Sequence, residues 1–470
     1  MIRTIATGLI WAALLSSIHA APTSGKRNVL LICIDDLRPE LGCYGKNYMQ
    51  TPNIDRLAAQ GRRFSRHYVQ APSCGPSRYS LLTGLYDSPS SSNNALFDRG
   101  KNKEQASPSL PAWFKKQGYK TVSVGKVSHH PGGWGGQDWD EKDQLEMPGS
   151  WSEQFMPCGP WKHPRGAMHG LANGEIRGGK KGTMAVFQSH DGPDEAYPDG
   201  LITEKGLNEL KRLSAEDQPF FLAIGLIRPH LPFGAPARYL PPYKDAKLPP
   251  TPHPSKPPGK TTWAKSGEFK RYDQFGRDAW TDPDFALELR KHYAACVSYV
   301  DAMVGRILLQ LEESGKADDT IVVLWGDHGW HLGEHAVWGK HTLFEESLHS
   351  PLIIRVPGIN KPGEACESIV ETVDLYPTLC ELTKLETPSN LSGQSLVADL
   401  EGKPTRTDSA LSYWNGHNTL RTERYRIIVH KNDYIELYDH QSAEAESKNI
   451  ASEQPSVVAQ LKKELEAKRP

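Results

Sequence analysis

The stretch NVLLICIDD, Asn28 to Asp36, is an apolar run that stops on two carboxylates. Its apolar residues do not alternate with polar ones. A strand of that kind is buried on both faces, as in a parallel sheet covered by helices. Four more segments have the same shape: YKTVSVGK (119–126), PFFLAIGLIRPH (219–230), TIVVLWGDHG (320–329) and SPLIIRVPG (350–358). TPNIDRLAAQG (51–61) reads as a helix with Pro and Asn at its start and Gly at its end, and Phe285 to Glu313 has helical spacing without proline. Strands alternating with helices predict an α/β fold with a doubly wound mixed sheet.

In open α/β sheets ligands bind at the carboxyl ends of the strands. Four of the five runs end in chemistry: Asp35-Asp36, Lys126 with His129, His230, and Asp327-His328. Taken singly, each is bland. An Asp pair after a strand commonly caps a helix or sits in a solvated turn, and a His after Pro is commonly on the surface. Their convergence makes one site. Three carboxylates and one imidazole suit a hard divalent cation, Ca²⁺ ahead of Mg²⁺. His331, His335, His341 and His349 lack the Cys/His spacing of a zinc site. Arg78, Lys126, His129, His230 and Lys340 add cationic groups, although Lys340 alone reads as a solvated surface lysine. Cations gathered around a metal imply an anionic substrate group, and phosphate and sulfate both fit.

The chain has 470 residues, enough for one large domain and a smaller one. Its formal net charge of −1 gives no global field toward nucleic acid or an anionic membrane. Residues 1–20, MIRTIATGLIWAALLSSIHA, have the basic start, apolar stretch and small-residue exit of a signal peptide. A secreted or periplasmic location follows, and no later run reads as long and apolar enough to span a bilayer. Seven cysteines leave at least one unpaired in an oxidising compartment. Cys33 and Cys296 lie in apolar runs and read as buried thiols, and Cys366 with Cys380 is a candidate bridge. The frame of the catalytic domain extends over 22–404, interrupted by a Gly-, Pro- and Trp-rich stretch (131–200) and a Pro- and Lys-rich one (241–259). Beyond it, LRTERYRIIVH and YIELYDH read as antiparallel strands and PSVVAQLKKELEAK as a terminal helix, a small α+β subdomain over 405–470.

Cys74-Gly75-Pro76-Ser77-Arg78, followed by Leu82-Thr83-Gly84, matches C-x-P-S-R-x₃-L-T-G. This pattern, with VLLICIDDLR, GKVSHH, WGDHGWHLGEH and ELYDH, resembles the type I sulfatases of the alkaline phosphatase-like superfamily over almost the whole mature chain. GLIRPHLPF, VSYVDAMVGRIL and the segment from Gly326 to Ile353 resemble the iduronate-2-sulfatase branch in particular, where His replaces the Asn found at position 328 in many sulfatases. The resemblance implies that a maturation enzyme oxidises Cys74 to formylglycine. Its hydrate attacks sulfur with one hydroxyl, and the other hydroxyl then expels sulfate by C–O cleavage. A serine could perform only the first half.

Carried over by motif, Asp35, Asp36, Asp327, His328 and modified Cys74 are the metal ligands. Arg78 and Lys126 orient the hydrate, His129 is the base for release, and His230 and Lys340 bind sulfate, one of them protonating the leaving alcohol. The substrate so implied is a sulfated carbohydrate, as in sulfated polysaccharide degradation. The cationic loop Trp161-Lys162-His163-Pro164-Arg165 is the candidate reader of a uronate carboxylate. Two alternatives stand beside this reading. One is a phosphoester or phosphonate hydrolase of the same superfamily, and the other is an inactive sulfated-glycan-binding protein on the same frame.

Overall fold

The computed structural model describes residues 25–86, 93–97, 108–131, 145–261, 266–403 and 409–469. The expected signal peptide, Trp134, Trp139 and the domain boundary at 404/405 lie outside the described residues.

The run that opens the chain forms β1 (Asn28–Ile34), all seven residues buried. It lies at the centre of an eight-stranded sheet. Its partners are β2 (Arg62–Tyr68), β3 (Lys120–Gly125), β4 (Glu153–Phe155), β6 (Phe220–Leu226), β8 (Thr320–Gly326), β11 (Leu352–Arg355) and β12 (Ala365–Glu371), in the order β12-β2-β11-β8-β1-β6-β3-β4. β1 is parallel to both β6 and β8, and only β11 runs against its neighbours. The sheet is therefore mixed. Helices α1 (Pro52–Gln60), α2 (Cys74–Thr83), α3 (Leu110–Lys116), α4 (Pro198–Ser214), α5 (Pro283–Glu313) and α6 (Leu375–Leu382) accompany it. Two apolar cores form, one through Leu30, Ile32 and Ile34 with α4 and α5, the other through Val29, Leu31 and Cys33 with α2, α3 and α6. Successive β1 side chains thus feed opposite faces, as pleating requires.

α5 is apolar enough over its length to cross a membrane by composition, which corrects the sequence reading on that point. Most of its apolar residues lie in the protein interior, from Phe285 to Leu311, with Leu309 the exposed exception. Its partner α1 is held by a buried carboxylate: Asp301 accepts from the Asn53 and Ile54 backbone N–H groups at 3.1 and 2.8 Å. That satisfies donors a helix start leaves open.

β2 and β12 were not expected. The β2 sequence RRFSRHY reads as polar, but its arginines are used locally. Arg62 donates to the Glu364 and Leu400 carbonyls at 2.9 and 3.1 Å while Phe64 enters the core. The expected bridge between Cys366 and Cys380 is absent: all seven cysteines are free. The Cys366 thiol donates to the Asp399 carbonyl at 3.4 Å instead, and Cys380 is buried in α6.

Smaller pieces surround the sheet. β5 (Phe187–His190) pairs with β7 (Phe233–Pro236), and β9 (His331–Leu332) with β10 (Trp338–Gly339). β13 (Ser409–Trp414), β14 (His417–Thr422), β15 (Tyr425–Val429) and β16 (Ile435–Asp439) form an antiparallel sheet, followed by α7 (Pro455–Lys468). The stretch read as one strand over 420–430 is two, turned between Thr422 and Tyr425. This sheet is tied to the catalytic domain by Arg426, fully buried, which pairs with Glu345 at 2.6 Å and with Glu446. Tyr68 and Arg421 also reach Glu345, at 2.7 and 3.3 Å. Breaking a buried ion network costs about 3–5 kcal/mol, because the remaining charge is stranded. Arg426→Met is expected to destabilise the protein by that amount in urea denaturation, and a loss under about 1 kcal/mol would show that the network does not carry the junction.

Candidate active site

The register of the sheet assembles the site. Ile34 stands level with both Gly326 and Leu226, and Gly125 with Gly225. Asp35-Asp36, Asp327-His328 and Lys126 therefore leave neighbouring parallel strands at one edge, and His230 follows the same edge through the turn after β6. α2 begins at this edge too. Cys74 is its first residue, and every residue of the helix is buried. Gly75 sits so close to Asn93 that a Cβ there would lie 2.3 Å from the Asn93 Cα. The Asn93 side-chain oxygen accepts from the Gly75 N–H at 3.1 Å and fixes the helix start.

Asp35, Asp36, Asp327 and His328 are all fully buried. Each carboxylate meets a cation. Lys126 pairs with Asp35, Lys340 with Asp36 at 2.8 Å, and Arg78 with Asp327 at 2.9 Å and Asp35 at 3.3 Å. Burial alone would raise Asp35, but Lys126, His230 and Arg78 hold it well below the usual carboxylate range. Burial and the neighbouring Asp35 push Asp327 up to about 7. Arg78 spends its remaining donors on the Lys126 and Val127 carbonyls. Its guanidinium is thus fully engaged by two carboxylates and two carbonyls.

Cys74 Sγ lies 3.3 Å from His328 Nε2, 3.3 Å from Lys340 Nζ and 3.7 Å from Lys126 Nζ. Burial, then Asp35, keeps its thiol well above the ordinary value, so the unmodified side chain is a poor thiolate nucleophile. Lys340, bland when taken alone, is thus 3% exposed and lies beside Cys74, where the motif put it.

The donor set fits a hard divalent cation. Asp35, Cys74, Asp327 and His328 bring ligand atoms within 4.8 Å of one another, and so do Asp35, Asp36, Cys74 and His230. Asp36 Oδ2 is buried with no hydrogen-bond partner among the described residues. His328 Nδ1 meets the Gly329 carbonyl at 3.0 Å, which places the proton there and leaves Nε2 as the lone-pair donor. Burial and Lys340 lower this imidazole to about 3, so it is neutral.

Above Cys74 lies a cavity of about 720 Å³ lined by His129, His130, His169, His230, Glu268 and Lys340, with Trp414 and Asn415 entering from the C-terminal sheet. His129 is nine-tenths buried. Burial, His130 and Lys126 hold it well below the usual imidazole value, which leaves it a neutral base. Glu268 escaped the sequence reading. It lies 3.2 Å from His230 Nε2 and 3.6 Å from Lys340 Nζ. It follows a Pro- and Lys-rich stretch rather than a strand, so no pattern marked it. Of the proposed carboxylate loop, Arg165 lines the cavity. Trp161 does not: it is fully buried and donates to the Leu171 carbonyl at 2.8 Å, a core residue rather than a sugar platform. Lys162 is exposed and not among the residues lining the cavity.

A ligand that binds only the folded state raises its thermal stability. Adding Ca²⁺ or Mg²⁺ to chelator-treated protein is expected to raise Tm. Asp36→Asn and Asp327→Asn are expected to lose most of that rise, and an undiminished shift in both variants would put the cation elsewhere.

Comparison with known proteins agrees with this geometry. The family described as Sulfatase matches residues 27–385, and that described as N-sulphoglucosamine sulphohydrolase, C-terminal, matches 333–470. The chain is 33% identical over 454 residues to the iduronate 2-sulfatase of Homo sapiens, covering 84% of this chain and 78% of that one. It is 31% identical over 445 residues to a sulfatase of Formosa agariphila, with 89% and 81% covered. Among solved structures, the phosphonate monoester hydrolase SpPMH from Silicibacter pomeroyi superposes with TM-score 0.73 at 26% identity over 94% of each chain. With an unbroken cysteine motif at the strand edge where this fold binds its ligands, the chain belongs to the sulfatase family of the alkaline phosphatase superfamily, and it is a sulfuric ester hydrolase of the iduronate-2-sulfatase-like type.

Proposed function

We propose that the chain removes the 2-O-sulfate from a uronic acid at the end of a sulfated carbohydrate, using formylglycine formed at Cys74 by a dedicated maturation enzyme. The single observation that supports the chemistry is the surroundings of Cys74: a helix start, His328 and two lysines converge on one sulfur at the floor of an open cavity. The likeness to iduronate 2-sulfatase supports the sugar and the position. The apolar amino-terminal stretch supports export to the periplasm or the medium.

Asp35, Asp36, Asp327, His328 and the modified Cys74 would hold the divalent cation, for which Ca²⁺ is the proposal. When bound, the cation would act as a Lewis acid that neutralises sulfate charge. The chain's own residues do the rest. Lys126 and Lys340 set two positive charges beside the nucleophilic position, where an anionic group is attacked. His230 meets the Leu231 carbonyl through Nδ1 at 2.6 Å and the Glu268 carboxylate through Nε2 at 3.2 Å. These two contacts fix the ring on the cavity wall, in position to protonate the leaving alcohol. His129, kept neutral, is suited to take the proton whose loss drives sulfate out.

A second reading is favoured by the likeness to the phosphonate monoester hydrolase: hydrolysis of phosphonate esters at the same centre. Paired assays on an aryl sulfate and an aryl phosphonate separate the two, with the sulfate expected to be the better substrate.

The test of mechanism is substitution at Cys74. Cys74→Ala is expected to be inert. Cys74→Ser is expected to turn over at a rate near zero and to accumulate a stable sulfate ester on the new hydroxyl, read by mass spectrometry. Steady turnover by the serine variant with no sulfated enzyme would mean that water attacks sulfur directly. Glu268→Gln is expected to lower kcat by about 10²-fold, the lower range for general acid catalysis, with a smaller change in KM.

A further inference from the structure

The catalytic cavity does not end at His230. Arg165, His169, Arg177, Lys181 and Arg271 also line a second cavity of about 570 Å³, so the two share a wall. Lys180 adds a fifth Lys or Arg to the second cavity, and no Asp or Glu lines it. In a chain with 55 basic and 56 acidic residues this is a local segregation of charge. Arg177, Lys180, Lys181 and Arg271 make no ion pair with a carboxylate among the described residues, although exposed arginines elsewhere, such as Arg277 and Arg424, do.

The cations are carried on pinned backbone. The Arg271 carbonyl accepts from the Gly182 N–H at 2.9 Å, and Gly182 takes φ +71°, which glycine adopts without strain. Asp273 N–H donates to the Met184 carbonyl at 2.7 Å, locking the same two segments together one step on. Arg177 donates to the Tyr272 hydroxyl at 2.9 Å, with its guanidinium 5.4 Å from that ring. Tyr272 in turn lies 3.4 Å from His169 Nδ1, and the His169 ring stands 5.4 Å from that of His230. A continuous set of contacts therefore runs from the proton donor to the cationic wall.

Resting on the sulfatase reading, we propose that Arg177, Lys181 and Arg271, with Arg165 at the mouth, form a second anion subsite that binds a carboxylate or sulfate on the saccharide beside the scissile sulfate. Arginine forks match the paired oxygens of either group. Arg177, Lys181 and Arg271 repel one another until an anion enters, so the subsite selects substrates with more than one negative charge. It also moves the reader of the second anion from the Lys162 loop to residues that sequence spacing did not bring together.

The test compares kcat/KM for three disaccharides that carry the same scissile sulfate. One has no other charge, one adds a uronate carboxylate, and one adds a second sulfate. Wild-type enzyme is expected to prefer at least one doubly charged substrate by tenfold or more, with the preference shrinking as salt is raised. Lys181→Gln/Arg271→Gln leaves the Arg177–Tyr272 contact in place. It is expected to cut that preference at least tenfold, through KM. Whichever doubly charged substrate loses more names the group that the subsite takes. No preference in the wild type, or an unchanged one in the variant, overturns the proposal. If wild-type enzyme cleaves no sulfate ester at all, the sulfatase reading itself has failed. The subsite is then read by calorimetric titration of Cys74→Ala protein with the same disaccharides: tenfold weaker binding after Lys181→Gln/Arg271→Gln supports it, and equal affinity overturns it.

Discussion

Three carboxylates with no solvent exposure meet at the edge of the central sheet, and the rest of the site follows from what is needed to keep them there. Burying a charged group costs several kcal/mol even after the protein relaxes, and like charges at one point add to that. The structure answers with Lys126 on Asp35, Lys340 on Asp36 and Arg78 between Asp35 and Asp327. Such pairs add little net stability compared with an apolar core. What they provide is geometry: oxygen atoms held in a fixed arrangement, and ammonium groups set where an anionic group is attacked. The buried Asp36 Oδ2, with no hydrogen-bond partner among the described residues, is the atom left open toward a cation.

That demand explains why Cys74 sits on a helix start rather than a flexible loop. Cys74 has to lie within reach of His328, Lys126 and Lys340 together, and each comes from a different element. α2 is buried along its whole length and its first turn is fixed by Asn93 and by Ser77, whose hydroxyl donates to the Asp327 carbonyl. The two lysines arrive by different routes. Lys126 is delivered directly by β3. Lys340 follows the β9–β10 hairpin, only five residues before Glu345, where Arg421, Arg426 and Tyr68 converge. The C-terminal sheet is thus joined to the catalytic domain next to a residue that touches the reacting centre. Trp414 of that sheet stacks on His341 with ring centroids 5.0 Å apart, closing one wall of the cavity.

The parts of this arrangement that lie on strand ends were legible in the sequence, because a parallel strand buried on both faces must be apolar until it stops. Asp35, Asp36, Lys126, Asp327 and His328 stand out against such runs. Cys74 and Arg78 were legible through a local pattern rather than through periodicity. Glu268, Asn93 and Tyr272 were not, since loops carry no period and their side chains acquire meaning only when the chain folds them against His230, Gly75 and Arg177. Trp161 misled for the same reason: an aromatic in a polar, glycine-rich segment reads as surface, whereas here Gly170 lets the backbone close on the indole and Gly166 lets it close on the Trp161 carbonyl. β2 was missed because its arginines find carbonyl partners at the sheet, an outcome that composition does not reveal.

The division of labour between the two ends of the cavity follows from their charge balance. At the floor every cation has a carboxylate partner, so the field there is compensated and an incoming anion must be met by rearranged pairs and by a bound metal. Along the wall formed by Arg177, Lys181 and Arg271 there is no such compensation among the described residues, and the acid lining the shared cavity is Glu268, already engaged by His230 and Lys340. The floor is built for reaction and is poor at distinguishing one sulfate ester from another, because all present the same group to it. The wall touches no reacting atom and distinguishes molecules by what they carry beside that group. Selectivity in this protein therefore resides in the loop-borne segments around residues 165–181 and 271, where side chains can change without disturbing the carboxylates on which the chemistry rests.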